Sequence, residues 1–195
     1  MGLVLAGDPI ILRPQLALFG AVTARSAQSV GGSRAEVITH LRRTFQDLKT
    51  YRRQRAISGP NYTAAYGTHQ KRSYSKIDMD ALARVREEGL PLVLHVDRAN
   101  EITQVLRLAA EYDFPLIVRG AAEGWKVASE LAAAKVPVII DPMNNLPTSF
   151  DRLGARADNA ALLHEAGVEV AFSVSDPHNA RELRQLAGDA GPNEM

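Results

Sequence analysis

The run Leu90-Pro-Leu-Val-Leu-His-Val-Asp97 is the most informative part of this sequence. It is short and apolar, it follows Gly89, and a helical pattern begins directly behind it at Arg98. These features favour a buried parallel strand over a helix. The strand ends in His95 and Asp97, where parallel α/β proteins place their functional groups. His95 is therefore the first candidate for a functional residue.

Three further apolar runs follow the same pattern and alternate with helical segments. The predicted strands lie at 90–97, 114–118, 136–140 and 168–174. Such βα repetition predicts an α/β protein with a parallel sheet and right-handed crossovers, either doubly wound or a (β/α) barrel. No glycine-rich nucleotide-binding motif follows any of these runs, which argues against a dinucleotide-binding or P-loop fold.

The amino-terminal part of the chain is less regular. Apolar runs at 3–6 and 10–12 predict two short strands or a hairpin, and residues 21–32 are small and polar. Ser33 and Glu36 have the spacing of a capping box that opens a helix reaching about Arg55, whose many cations are most simply a solvated face.

The domain organisation follows from these patterns. Residues 58–76 lack an apolar period and are interpreted as a functional lid or a disordered insertion. We therefore expect one domain over 1–195, with an irregular part at 1–77 containing one long helix, and regular βα units at 78–190.

Composition excludes several classes of protein. The 195 residues suffice for one well-cored domain, and 23 Lys and Arg against 22 Asp and Glu argue against a nucleic-acid partner. Cysteine is absent, so there is no thiolate ligand or nucleophile. The sequence has neither a basic signal region nor an 18-residue apolar run. We expect a soluble, cytoplasmic protein without a membrane partner, although an upstream signal is compatible with the sequence.

Polar side chains stand at the carboxyl end of each predicted strand. They are His95 and Asp97, then Arg119, then Asp141, Asn144 and Asn145, and finally Ser173, Ser175, Asp176 and His178. Because parallel strands end at one edge of a sheet, these groups are expected to converge on a site. Imidazole and carboxylate suit a divalent cation such as zinc. Alternatively, His95 is a hydrogen-bonded structural residue, and Asp97 and Asp176 cap the following helices.

Two segments resemble a known family. Leu92-Val-Leu-His-Val-Asp-Arg-Ala-Asn-Glu-Ile102 and Arg119-Gly-Ala-Ala-Glu-Gly-Trp-Lys-Val-Ala128 resemble the fifth and sixth strand segments of imidazolonepropionase-like amidohydrolases. The order of the later segments resembles strands seven and eight, so that the resemblance covers about 28–190. It implies a metal-dependent hydrolase of carbon–nitrogen bonds, with this chain matching the carboxyl-terminal part of a (β/α)8 barrel.

The resemblance also implies roles for individual residues. His95 would be the fifth-strand metal ligand, and Asp176 would be the catalytic carboxylate that activates water. Arg119, Asp97 and His178 would contact a small-molecule amide, often a cyclic one. The cofactor would be a divalent metal, most readily zinc, held weakly or not at all by this chain.

The sequence departs from the family pattern in ways that affect these roles. No His-x-His pair precedes His40, and Arg119 or Gly120 stands where the sixth-strand histidine is expected. A partial barrel has open edges, which predicts self-association or a missing amino-terminal half, and poor catalysis by the chain alone. A non-catalytic small-ligand-binding α/β module, or a degenerate interaction module, would explain the same periodicity without a metal.

Overall fold

The fold is built around one parallel sheet. The structure is a computed structural model, and it describes residues 16–59, 76–144, 146–174, 181 and 183–189. In that part of the chain, five strands pair in sequence order, each parallel to the next. They are β1 (Leu18–Val22), β2 (Leu92–Val96), β3 (Leu116–Gly120), β4 (Val138–Ile140) and β5 (Val170–Phe172). The predicted α/β class with parallel βα repeats is confirmed.

Helices connect the strands. They are α1 (Ala24–Val30), α2 (Arg34–Ser58), α3 (Lys76–Glu87), α4 (Ala99–Tyr112), α5 (Ala128–Ala133), α6 (Asn159–Glu165) and α7 (Leu183–Asp189). Short 3-10 helices lie at Gly124–Val127, Pro142–Asn144 and Phe150–Arg152. No helix of the described ranges has both the length and the apolar character needed to cross a membrane.

The core lies between the helices and one face of the sheet. Alternate strand residues such as Leu94, Val118 and Ile140 are buried in one cluster with helix residues that include Ile102 and Leu163. Successive strand residues point to opposite faces. The face opposite this core therefore carries the remaining strand residues, which are paired across the sheet: Phe19 with Val93 and Ile117, and His95 with Arg119.

Within 1–77 the described residues include two elements besides the long helix, β1 and α1. β1 pairs with β2, with Leu18 opposite Leu92, and α1 follows it with Thr23 as its N-cap. Little in the sequence indicated β1, which includes Gly20 and whose Phe19 is 71% exposed. β1 is stabilised by its pairing with the buried strand β2 and not by the intrinsic strand propensity of its own residues. The apolar runs at 3–6 and 10–12 lie outside the described residues.

The helix signals were mostly correct. Ser33 caps α2 and accepts a hydrogen bond from the backbone N–H of Glu36 at 3.1 Å, as predicted. Asp78 lies in the first turn of α3, which begins at Lys76. The segment after β3 is divided between the 3-10 helix that contains Trp125 and α5.

Candidate functional site

A histidine and a carboxylate lie in contact at the carboxyl end of β2. Nε2 of His95 is 3.3 Å from Oδ2 of Asp97. The His95 side chain is 28% exposed, whereas that of Asp97 is 5% exposed. The apolar strand β2 positions both groups. Its residues Leu92 to Leu94 are buried, His95 follows them, and Asp97 is the first residue after the strand. A partly accessible imidazole therefore rests on a buried carboxylate.

Asp97 has two further partners. Arg152 Nε lies 3.2 Å from its Oδ2, and the backbone N–H of Ala122 donates to its Oδ1 at 3.4 Å. Burial by itself raises the pKa of Asp97, but the hydrogen bond and charge of His95 and the Arg152 guanidinium outweigh it and hold the pKa below its ordinary value. The carboxylate is therefore ionised at neutral pH.

The alternative interpretation of Asp97 as a helix cap does not hold. Arg98 occupies the N-cap position of α4 and makes no side-chain capping bond. The first backbone N–H of the helix, that of Ala99, donates to Oε2 of Glu123 at 3.1 Å. Glu123, three residues beyond β3, thus supplies from a distance the acceptor that a capping side chain would provide.

Gly120 leaves room for the His95–Asp97 pair. Its φ is +90°, and a Cβ built there would lie 2.5 Å from Asp97 Oδ1 and 3.0 Å from His95 Cε1. A side chain at this position would collide with both groups, so a sixth-strand histidine has no place at residue 120. The preceding residue, Arg119, is the cross-strand partner of His95.

The β4–α6 loop (residues 141–158) is fixed against the same edge of the sheet at three points. Arg152 reaches Asp97, as described above. Asp151 accepts hydrogen bonds from Arg34 and, at 3.2 Å, from the backbone N–H of Ala24. The Trp125 indole N–H donates to the carbonyl of Gly154 at 2.9 Å. The loop therefore joins the starts of α1 and α2 to the ends of β2 and β3.

The pKa values of two acidic side chains near this loop are shifted in opposite directions. Glu101 faces Arg34 at 3.4 Å, and burial raises its pKa despite that cation. Burial also acts to raise the pKa of Glu123, but the bonds from Lys126 and Ala99 outweigh it and lower the pKa. The edge therefore holds several charges that are already satisfied by local partners.

The structure locates only some of the predicted site residues. His95, Asp97 and Arg119 lie at one edge of the sheet. Asp176 and His178 lie outside the described residues, as do Asn145 and Ser175. Asp141 Oδ1 accepts the backbone N–H of Met143 at 3.1 Å, a turn contact within the loop.

The residues that surround and hold the His95–Asp97 pair were not predicted from the sequence. Glu123 and Trp125 were visible only as part of a family-like motif, and their structural contacts were not inferred. Gly120 carried no signal apart from its place after Arg119 at the end of a predicted strand. The Arg152–Asp97 contact spans 55 residues and has no local pattern from which a single sequence could reveal it.

The described residues do not form a metal centre by themselves. Among them, no group of three His, Cys, Asp or Glu side chains is placed to hold a metal ion. A catalytic zinc ordinarily has three protein ligands, and Asp97 is already bound by Arg152 and Ala122. His95 fits as a single ligand, because a carboxylate beside Nε2 favours a proton there and leaves the Nδ1 lone pair available.

The fold is that of a partial amidohydrolase-type (β/α) barrel. A crystal structure of an amidohydrolase from Thermotoga maritima superposes with a TM-score of 0.77 over 94% of this chain and 49% of that chain, at 21% identity. The amidohydrolase tasK of Hapsidospora irregularis is 27% identical over an aligned length of 142 residues, with a coverage of 57% of this chain and 14% of that protein. This chain thus spans about half of the first relative and a small part of the second. No family model matches the sequence. Both relatives agree with the resemblance seen in the sequence.

Proposed function

We propose that this chain supplies part of the barrel of a metal-dependent amidohydrolase. The reaction would be hydrolysis of a carbon–nitrogen bond in a small, non-peptide and often cyclic amide, in the cytoplasm. The observation that carries the proposal is the His95–Asp97 pair at the carboxyl end of β2, because this edge is where barrel enzymes place their active sites. The similarity to two amidohydrolases supports the reaction class.

In this proposal His95 is a metal ligand and Asp97 is its positioning residue. Metal-binding histidines usually donate their second ring N–H to a carboxylate, which fixes the tautomer and the ring orientation. Asp97 is placed for this on the Nε2 side of His95, and its low pKa keeps it an acceptor. The metal, most readily zinc, would polarise the amide carbonyl and lower the pKa of water when bound. Its other ligands would come from outside the described residues.

The remaining predicted residues receive proposed roles on the same basis. Arg119 neighbours His95 across the sheet, and its cation suits an anionic or carbonyl oxygen of the substrate. Asp176 follows the segment of β5 and is proposed as the carboxylate that activates water. His178 is proposed to contact substrate from the same segment.

We further propose that additional βα units close the barrel. Within the described part of the chain, β1 and β5 are the outer strands of a five-stranded sheet, whereas a closed barrel of this type has eight. The uncovered face includes Phe19, which is 71% exposed. An amino-terminal half or a second copy of this chain would cover these edges, and the chain alone would have little or no activity.

A second candidate is a non-catalytic small-ligand-binding module. It is favoured by the Arg152–Asp97 ion pair, which ties the β4–α6 loop to the site and engages the carboxylate without any metal. In that case His95 would be a structural residue hydrogen-bonded to Asp97.

Zinc affinity distinguishes the two candidates. A competition titration with a chromophoric chelator would compare the unmodified chain, His95→Ala and the control His164→Ala, which removes an exposed imidazole from α6. We expect weak binding that falls at least about tenfold in His95→Ala and is unchanged in His164→Ala. Equal affinities in all three proteins would exclude His95 as a ligand and favour the second candidate. Amide hydrolysis by the unmodified chain that disappears in His95→Ala would refute its proposed inactivity.

A further inference from the structure

Two adjoining cavities lie between α2 and the end of α4. Their volumes are about 630 and 270 Å³, and both are lined by Lys49, Glu111 and Tyr112. Arg53 lines the larger cavity and Arg52 the smaller one. We call them together the α2 groove. We propose that this groove binds a small molecule with two or more phosphate groups, held by Lys49, Arg52 and Arg53.

The groove is remote from the His95 site. α4 ends at Tyr112 and β3 begins at Leu116, so this end of α4 lies at the amino end of β3. His95 lies at the carboxyl end of β2, which is parallel to β3. The two sites are therefore at opposite edges of the sheet, and the proposal is independent of the proposed hydrolase activity.

Positive charge is concentrated on the helix that forms one wall. α2 contains seven Lys and Arg residues and only two acids, Glu36 and Asp47, which gives it a net charge of +5. The whole chain has a net charge of +1. Like charges on neighbouring turns repel one another, and a bound anion would relieve that repulsion.

Local acids neutralise only part of this charge. Arg42 pairs with Glu111 at 2.5 Å, and Arg86 pairs with Asp113 at 2.7 Å. Lys49, Arg52 and Arg53 have no ion-pair partner among the described residues.

The three unpaired cations share one face of the helix. Arg52 and Arg53 follow Lys49 by three and four residues, a spacing that places them together on the helix surface. Two guanidinium groups can each bind a phosphate in bidentate fashion, and the lysine adds a point charge. A ligand with several phosphates would engage all three at once.

The shape of the site favours a small ligand over a nucleic acid. The larger cavity is within the size range of small-molecule pockets. In the smaller cavity, Phe45 stacks on Phe114 at 4.6 Å and on Tyr112 at 5.5 Å, so that packed aromatic rings form part of its lining.

Calorimetric titration of the full chain tests the proposal, with tripolyphosphate and ATP as separate probes. The double variant Lys49→Gln/Arg53→Gln removes two of the three cations. Arg25→Gln/Arg43→Gln is the matched control, because it removes the same charge from exposed positions outside the groove. We expect tripolyphosphate to bind, with affinity at least about tenfold weaker in the groove variant and within about twofold of the original in the control.

The probes also separate the possible sources of the phosphate groups. Tighter binding of ATP than of tripolyphosphate would identify a nucleotide, and equal binding would identify a free polyphosphate; either result supports the groove. The proposal is overturned if tripolyphosphate does not bind, or if both double variants lose affinity equally. It is also overturned if a short DNA duplex binds and tripolyphosphate does not.

Discussion

Nε of Arg152 lies 3.2 Å from Oδ2 of Asp97, although 55 residues separate them in the chain. Both side chains are largely buried, with 20% and 5% exposed. The contact joins the β4–α6 loop to the end of β2, and Asp97 in turn contacts His95. Stability, the position of the loop and the orientation of the imidazole therefore depend on one carboxylate.

Loss of the arginine should destabilise the fold. Arg152→Met leaves the buried carboxylate of Asp97 with His95 and one backbone N–H, and a buried charge without its partner is costly. We expect a loss of about 2–3 kcal/mol in the free energy of unfolding, measured by urea denaturation.

Arg156→Met provides the control. Arg156 belongs to the same loop and also pairs with an acid, Asp158, but both side chains are about half exposed. Its replacement removes this exposed pair and the contact of the guanidinium with the Trp125 ring, 4.8 Å from the ring centroid, and should cost clearly less free energy of unfolding than Arg152→Met. If both substitutions lowered the free energy of unfolding equally, the buried Arg152–Asp97 contact would contribute no more to stability than the exposed pair of Arg156.

The same carboxylate should make stability depend on acid pH. Its pKa is lower in the folded chain than the ordinary 3.8, so it contributes stability above that value. This contribution is lost as the pH falls from about 4 through the folded-state pKa, because the unfolded chain binds the proton first. Unfolding free energies of the unmodified protein and Asp97→Asn, compared from about pH 6 to 2, should show a steeper decline in the unmodified protein.

The comparison also controls for other acids. Burial raises the pKa of Glu101, which makes its own contribution opposite in sign, and it is present in both proteins. Its effect cancels in the difference between the two curves, except for the part of its shift that the charge of Asp97 itself contributes. Parallel curves would contradict a depressed pKa for Asp97.

Gly120 should not tolerate a side chain. In Gly120→Ala the new methyl would meet Asp97 Oδ1 and the His95 ring, and the positive φ of +90° adds backbone strain. We expect a loss of about 1–3 kcal/mol in unfolding free energy, measured by thermal or urea denaturation. Gly188→Ala in α7 is the control, since a Cβ there meets no atom of the described residues within 4 Å. A neutral Gly120→Ala would mean that the pair can move freely.

The parts of the fold that the sequence predicted are those with strong local patterns. β2 is an apolar run of full strand length, so its position and the placement of His95 at its end could be predicted. β1 depends on its neighbour, because Phe19 and Gly20 give it no buried pattern of its own. Its existence follows from pairing, which a single sequence does not display.

In the candidate site, too, the residues with a local sequence pattern could be predicted and those positioned by tertiary contacts could not. His95 and Asp97 were found because they end a recognisable strand. Their supports, Arg152 and Glu123, come from residues distant in the chain and act through contacts set by the tertiary fold. The proposed roles of Asp176 and His178 stay predictions, since both lie outside the described residues.

The NMR signals of the His95 ring nitrogens test most directly whether His95 is a metal ligand. Long-range ¹H–¹⁵N spectra of histidine-labelled protein would be recorded during zinc addition, with the exposed His164 as internal reference. We expect the Nδ1 signal of His95 to shift while its Nε2 stays protonated beside Asp97, and we expect His164 to respond only at higher zinc concentration. A His95 signal that does not respond, or responds no sooner than His164, would contradict the assignment of His95 as the metal ligand of this chain.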